Sequence, residues 1–266
     1  MKYFHFTIDC DYIPNSHLVF DRLLDFVEYN KLNPTFFLTG KFAKDYPVLS
    51  RKLAIEYEIG CHGLSHGLCV KESFDSQMSY SEKYTCLKEA TFLIEKNTGV
   101  RPTIFRAPYL RISEDTFSTL KKLDYKIDSS IPSNRFDFGA GSINNIRYLN
   151  FSYKPTFLSN GILEIPPSAL LLPLNIRFIK IFGVKALLCF ISTFMVNRQT
   201  IVFYLHPAEL ESNRNVLQYP KEKEHYYKGG GMHLLKSLQL MIDYLKTKDF
   251  VSINMVNQLE NVKNYG

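Results

Sequence analysis

The feature that most constrains this chain is an alternation. Short runs rich in aromatic and β-branched residues take turns with segments whose apolar residues recur every three or four positions. Tyr3–Ile8, Pro34–Leu38, Glu58–Gly60, Thr103–Phe105, Tyr125–Ile127, Ile162–Ile165, Ile201–Leu205 and Phe250–Ile253 read as strands or strand ends. Leu18, Leu23, Phe26 and Val27 recur at helical spacing, as do Val48–Tyr57, Glu114–Leu123 and Met232–Leu245. In Ser79–Asn97 the apolar face is Tyr80, Tyr84, Leu87, Thr91 and Ile94, and Gly99 closes the helix. Strands that alternate with helices are expected to be parallel, because a parallel neighbour is reached only by a crossover connection. The 266 residues suit one α/β barrel-like domain spanning 1–266. No composition break marks a linker, and the one loop-rich stretch is Asn134–Pro155.

Composition narrows the class further. With 45% hydrophobic and 22% charged residues the chain can build a sizeable core and is neither disordered nor collagenous. Thirty-two basic residues against 26 acidic ones leave +6. That mild excess suits an anionic partner or a membrane surface, and no nucleic-acid partner is expected. Met1-Lys2 runs straight into a strand pattern with acids at Asp9 and Asp11, so a signal peptide is not expected. No stretch is apolar enough for a spanning helix. The five cysteines (Cys10, Cys61, Cys69, Cys86, Cys189) include no Cys-x-x-Cys. They read as reduced thiols, and the expected location is cytoplasmic. Alternation turns Cys10 and Cys61 away from the polar side of their strand ends, as buried fillers.

Four constellations fall at the C-terminal ends of expected strands, where parallel α/β folds build their sites. In Asp9-Cys10-Asp11 two carboxylates project to one side, so that one can ligate a cation while the other serves as a base; a solvated strand end would look the same. His62 and His66, spaced i, i+4, can grip one ion, and with Asp11 they make the three-ligand set of a catalytic zinc. Arg106, in Phe105-Arg106-Ala107-Pro108-Tyr109, can hold a nearby carboxylate ionised, and the Tyr109 backbone N–H could face the site. His206, leaving an apolar strand, is well placed as a general acid, while a lone histidine is more often structural.

In this order, Thr7-Ile8-Asp9-Cys10-Asp11, His62-x-x-x-His66, Arg106-x-Pro108-Tyr109 and Leu205-His206 resemble the NodB-homology polysaccharide deacetylases of carbohydrate esterase family 4. Tyr125–Pro132 is similar to that family's fourth motif and brings in Asp128. The resemblance spans residues 3–210, with 211–266 as the last barrel elements. It implies a distorted (β/α) barrel of about seven to eight mostly parallel strands. It further implies Asp9 as base, Asp11, His62 and His66 as ligands of one divalent metal, and Arg106 as the residue that orients Asp9. Tyr109 would contribute to the oxyanion site, and His206 would be the acid, supported by Asp128. Zinc is the expected ion by ligand type, with cobalt or nickel able to substitute. The implied reaction removes the N-acetyl group of a sugar or glycan precursor. The alternatives are hydrolysis of another linear amide, such as a formyl-amino sugar or a ureide, and a catalytically inactive glycan-binding module. Two departures stand out. The family's usual Asp-Asp is here Asp9-Cys10-Asp11, and the Trp often found in the fourth motif is absent, which leaves sugar stacking to Tyr or Phe.

Residues 169–196 are strongly apolar, with Arg177, Lys180 and Lys185 as their charges. The stretch reads either as a crossover helix with a buried face or as a helix lying on an anionic bilayer. The second reading implies a lipid-linked substrate and a peripheral position at the inner membrane face. Lys228–Gly231 reads as a loop before the last expected helix.

Overall fold

The computed structural model describes residues 1–11, 15–66, 74, 78–133, 152–170, 172–211, 213 and 228–265. Its strands are β1 (Lys2–Cys10), β2 (Thr35–Leu38), β3 (Glu58–Cys61), β4 (Ile104–Phe105), β5 (Ile127–Asp128), β6 (Thr156–Phe157), β7 (Leu163–Glu164), β8 (Ala169–Leu170), β9 (Leu172–Pro173), β10 (Thr200–Leu205) and β11 (Phe250–Ser252). Nine of them form one curled sheet in the order β10-β1-β2-β3-β4-β5-β7-β6, with β11 beside the first residues of β1. Every pairing in that sheet is parallel except β6 with β7. The architecture is the expected distorted (β/α) barrel. β1 is its spine: β10 runs along one edge, and β11 and then β2 share the other.

The helices are α1 (Phe20–Tyr29), α2 (Gly40–Asp45), α3 (Pro47–Glu56), α4 (Tyr80–Thr98), α5 (Glu114–Lys122), α6 (Ile176–Phe194), α7 (His233–Lys246) and α8 (Met255–Tyr265). α4 starts and stops where its sequence says. The Ser79 hydroxyl accepts from the Glu82 N–H while the Glu82 carboxylate accepts from the Ser79 N–H, and Gly99 ends the helix at φ 81°.

Strand alternation sorts the interior into two cores. Phe4, Phe6, Ile8 and Cys10 of β1 point outward, into the layer between sheet and helices, together with Phe36, Cys61, Phe105 and Phe203. Phe37, Ile104, Ile127, Leu163, Ile165 and Val202 face inward and fill the lumen. The same inward parity carries Thr7, Asp9, His62, Arg106, Tyr204 and His206 toward the C-terminal mouth.

Some elements depart from expectation. Gly40 opens the short α2, because the Thr39 hydroxyl accepts from the Phe42 N–H at 3.2 Å. Residues 169–196 divide into the β8–β9 hairpin and α6, which is kinked at Gly183 (φ 78°, ψ 165°). α8 closes the lumen from the N-terminal end of the strands. Its Met255, Val256, Leu259 and Val262 pack on the inner core, and the Glu58 carboxylate accepts from the Met255 and Val256 N–H groups at 2.8 and 2.9 Å. Cys10, Cys61, Cys86 and Cys189 are free thiols, the first two buried as expected. Cys69 and residues 134–151 of the expected loop-rich stretch lie outside the described residues.

Candidate active site

Every chemistry-bearing residue expected from the sequence sits at the C-terminal end of a strand or just beyond it. Asp9 lies at the end of β1 and Asp11 just beyond it, His62 and His66 follow β3, Arg106 follows β4, Asp128 ends β5 and His206 follows β10.

Arg106 is fully buried and ties strand ends together. Its Nη1 donates to Asp9 Oδ1 at 2.8 Å and to Thr7 Oγ1 at 2.7 Å. Its Nε and Nη2 donate to the carbonyl and hydroxyl of Ser129 at 3.1 and 2.9 Å. Thr7 and Ser129 pass their own hydroxyl protons on, to the Phe203 and Ile165 carbonyls. The guanidinium lies 4.2 Å from the Phe37 ring. That ring is where it is because Gly60 has no side chain: a Cβ there would stand 2.6 Å from it. Burial opposes ionisation of Asp9. Arg106, with His62 and His206, outweighs it and holds the carboxyl below its usual range.

Beside this pair, single ligand atoms of Asp11, His62 and His66 lie within 4.8 Å of one another. The His62 Nδ1–H donates to the Arg106 carbonyl at 2.7 Å, which leaves the Nε2 lone pair facing Asp11 Oδ1 at 3.5 Å. His66 Nε2 stands 3.7 Å from the same oxygen. Donors bound at ~2.0–2.2 Å to a tetrahedral ion are ~3.3–3.6 Å apart, so this set fits one divalent cation with little movement. Burial pushes the His62 imidazole down to about 4, so it stays neutral, as a ligand must.

His206 faces the triad from the other side, its Nε2 3.9 Å from Asp11 Oδ2. Its Nδ1 is 3.0 Å from Glu209 Oε2, which also accepts the His206 backbone N–H at 3.1 Å. Burial lowers the imidazole's proton affinity, but Asp11, Glu209 and Asp9 together raise it to about 9.

The support expected from Asp128 is corrected here. Asp128 pairs in register with Phe105 of β4 and Glu164 of β7, and that parity puts it on the outer face of the sheet, away from His206. It accepts the Ser130 hydroxyl at 2.6 Å, and Ser130 accepts the Ala107 N–H at 2.8 Å, so Asp128 braces the loop that carries Tyr109. Burial raises Asp128 to about 6, and burial beside Asp128 raises Glu164 further. In that loop Tyr109 and Leu110 both have left-handed backbones (φ 58° and 55°), a strained arrangement for side chains with Cβ. The Tyr109 ring is 4.4 Å from that of His66 and 42% exposed, an aromatic surface at the rim.

Sequence reasoning missed Glu209, Thr7, Ser129 and Ser130. Glu209 had a local signal: His206-Pro207-Ala208-Glu209 has the spacing of a capped turn, with Pro at its first position. Lys180 is also reassigned. It is nearly buried and its Nζ lies 3.6 Å from Glu209 Oε1, so it is not part of an outward basic face.

Residues 2–127 match the polysaccharide deacetylase family model. Over 102 residues the chain is 32% identical to the peptidoglycan-N-acetylmuramic acid deacetylase PdaC of Bacillus subtilis, covering 38% of this chain and 21% of that protein. The chain thus spans about a fifth of that relative's length. In fold it is similar to a candidate polysaccharide deacetylase from Mycobacterium smegmatis, with a TM-score of 0.68 at 16% identity over 99% of this chain and 91% of the other. It is also similar to a mutant of BA3943 from Bacillus anthracis, a CE4 family pseudoenzyme with restored enzymatic activity, with a TM-score of 0.57 at 14% identity over 94% of this chain and 64% of the other. The match along residues 2–127 agrees with the strand-end motifs, and the fold of the whole chain is that of the polysaccharide deacetylase structures to which it is similar.

Proposed function

We propose that this chain, acting as a single 1–266 domain, is a metal-dependent hydrolase that removes the N-acetyl group from an N-acetylated sugar or glycan precursor. The observation that carries the reading is the Asp11–His62–His66 cluster standing between the Asp9 carboxylate, paired with Arg106, and the His206 imidazole. Asp11, His62 and His66 would hold the ion, zinc by ligand type, with cobalt or nickel able to substitute. When bound, a divalent ion there supplies Lewis-acid polarisation of the amide carbonyl and acidifies a water molecule. Asp9 takes the proton of the attacking water, and Arg106 keeps it ionised and aimed to do so. The Tyr109 N–H donates to the developing oxyanion. His206 delivers a proton from Nε2 to the departing amine, without which the leaving group is too basic to depart. The exposed Tyr109 ring takes the stacking role that the missing Trp would otherwise fill.

Acetate release from an N-acetylglucosamine oligomer by zinc-loaded protein tests this. His66→Ala is expected to lower metal content and abolish turnover; full activity in metal-free His66→Ala protein would overturn the hydrolase reading. Formate or ammonia release in place of acetate would favour the formyl-amino sugar or ureide alternative. Normal metal content with no product from any amide would favour the glycan-binding module.

The reading extends to location. A cytoplasmic protein in peripheral contact with the inner membrane face, acting on a lipid-linked sugar, is supported by α6. Ile181 and Phe182 are 64% and 51% exposed at its kink, Phe194 is exposed at its end, and Lys185 with Arg177 supplies positive charge. No helix among the described residues is long and apolar enough to cross a membrane. Flotation with anionic vesicles that falls with salt, and is absent with neutral ones, is the expected result.

A further inference from the structure

Glu209 lies outside every motif that the resemblance brings to this chain, yet it makes two hydrogen bonds to His206. One carboxylate oxygen, Oε2, receives both the His206 backbone N–H at 3.1 Å and the ring Nδ1 at 3.0 Å. Chelating backbone and ring together sets the χ angles of His206, because a rotated ring would abandon the second contact. A carboxylate only accepts, so Nδ1 carries a proton and Nε2 is the nitrogen turned toward Asp11. The other oxygen, Oε1, faces Lys180 Nζ at 3.6 Å, with both side chains almost wholly buried. Lys180 arrives on α6, whose first turn is anchored to β10 by Asn175 donating to the Tyr204 hydroxyl at 2.7 Å. The Glu209 carbonyl accepts the Gly231 N–H at 3.0 Å, so the turn is also fixed from the α7 side. Asp128, the acid that the resemblance offers for this task, is on the other face of the sheet.

We propose that Glu209 is the positioning residue for His206, and that Lys180 clamps Glu209 so that Nε2 of the imidazole addresses the leaving amine. This rests on the reading of His206 as the acid. A Lys–Glu–His chain then replaces the Asp–His pair as the acid's support, and the two supporting residues come from elements on either side of β10.

Two measurements on zinc-loaded protein test it: steady-state acetate release from an N-acetylglucosamine oligomer, and 15N NMR of the His206 ring. Loss of an orienting partner next to a reacting imidazole typically costs 10–100-fold. Glu209→Ala is therefore expected to lower kcat by ~10–100-fold with KM within about twofold and zinc content unchanged. At a pH high enough for the His206 ring to be neutral in both proteins, its Nδ1 should change from a protonated nitrogen to a mixture of tautomers. Glu209→Gln keeps the shape and one acceptor, and its kcat should fall by about 10-fold; it decides the matter if the alanine variant does not fold. Lys180→Met should show a smaller loss of kcat in the same direction. Unchanged kcat in Glu209→Gln, or an Nδ1 proton that stays in place in Glu209→Ala, would overturn the proposal. If the unaltered protein hydrolyses no amide, the deacetylase reading fails, and the NMR comparison still decides whether Glu209 sets the imidazole.

Discussion

The two flanks of the Asp11–His62–His66 cluster, the base and acid sides of the proposed mechanism, are built differently. On the base side, Asp9 is held by Arg106, and Arg106 is held by the ends of β1 and β5, with hydrogen bonds running on to β7 and β10. That guanidinium is wholly enclosed and stacked on Phe37. On the acid side, His206 is about a quarter exposed and hangs from one short turn through Glu209. The base cannot be reoriented without opening the sheet, whereas the acid can move with its turn. Orientation of the base is thus a property of the core, and orientation of the acid a property of one local contact.

The sharpest way to break that contrast is Arg106→Met. Removing one partner of a buried ion pair strands the other's charge, at a cost of about 3–5 kcal/mol. Arg106→Met is therefore expected to lose both activity and a large part of its stability, read as a fall in the chemical-denaturation midpoint. His206→Ala is expected to cost ~10²–10⁴ in kcat with little change in that midpoint. Equal destabilisation by the two variants would show that the flanks are equally woven into the core.

Asp9→Asn comes next. It keeps the shape and an acceptor for Arg106 but cannot take a proton. A rate loss of ~10²–10⁴ with metal retained is expected. If Asp9→Asn strips the metal while Asp11→Asn does not, the two carboxylates have exchanged roles.

The smallest effect is on pH-dependent stability. His206 has its folded value raised to about 9, so its contribution is fully present below the ordinary histidine value and is lost as pH rises through about 9. Asp9 is depressed, so its contribution is present above the ordinary carboxylate value and is lost as pH falls through the lower folded one. In metal-free protein, NMR titration should find His206 still protonated at pH 8 while His62, lowered to about 4, is neutral. Denaturation midpoints should decline at both ends of the range, and Glu209→Gln should flatten the alkaline decline alone. A His206 that titrates like an exposed histidine would mean the acid flank is looser than its geometry.

Much of this was legible in the sequence, for a local reason. A strand's side chains alternate with period two, and parallel strands all present their C-terminal ends to one mouth. Asp9, Asp11, His62, His66, Arg106 and His206 could therefore be assigned to one site from the strand ends they leave. The caps of α4 were legible because Ser79, Glu82 and Gly99 act within a turn of their own backbone. Tertiary structure decided the rest. Asp128 looked available to His206 until the register of β5 with β4 and β7 set its parity to the outer face. Lys180 looked like one of three outward charges until the packing of α6 beside the turn at Pro207–Leu210 turned it toward Glu209. The plug at the far end of the lumen needed α8 to meet Glu58, a partner almost two hundred positions away. Local spacing determines which residues leave a strand on one side; which of them then face one another depends on strand register and helix rotation, set by contacts between elements far apart in the chain.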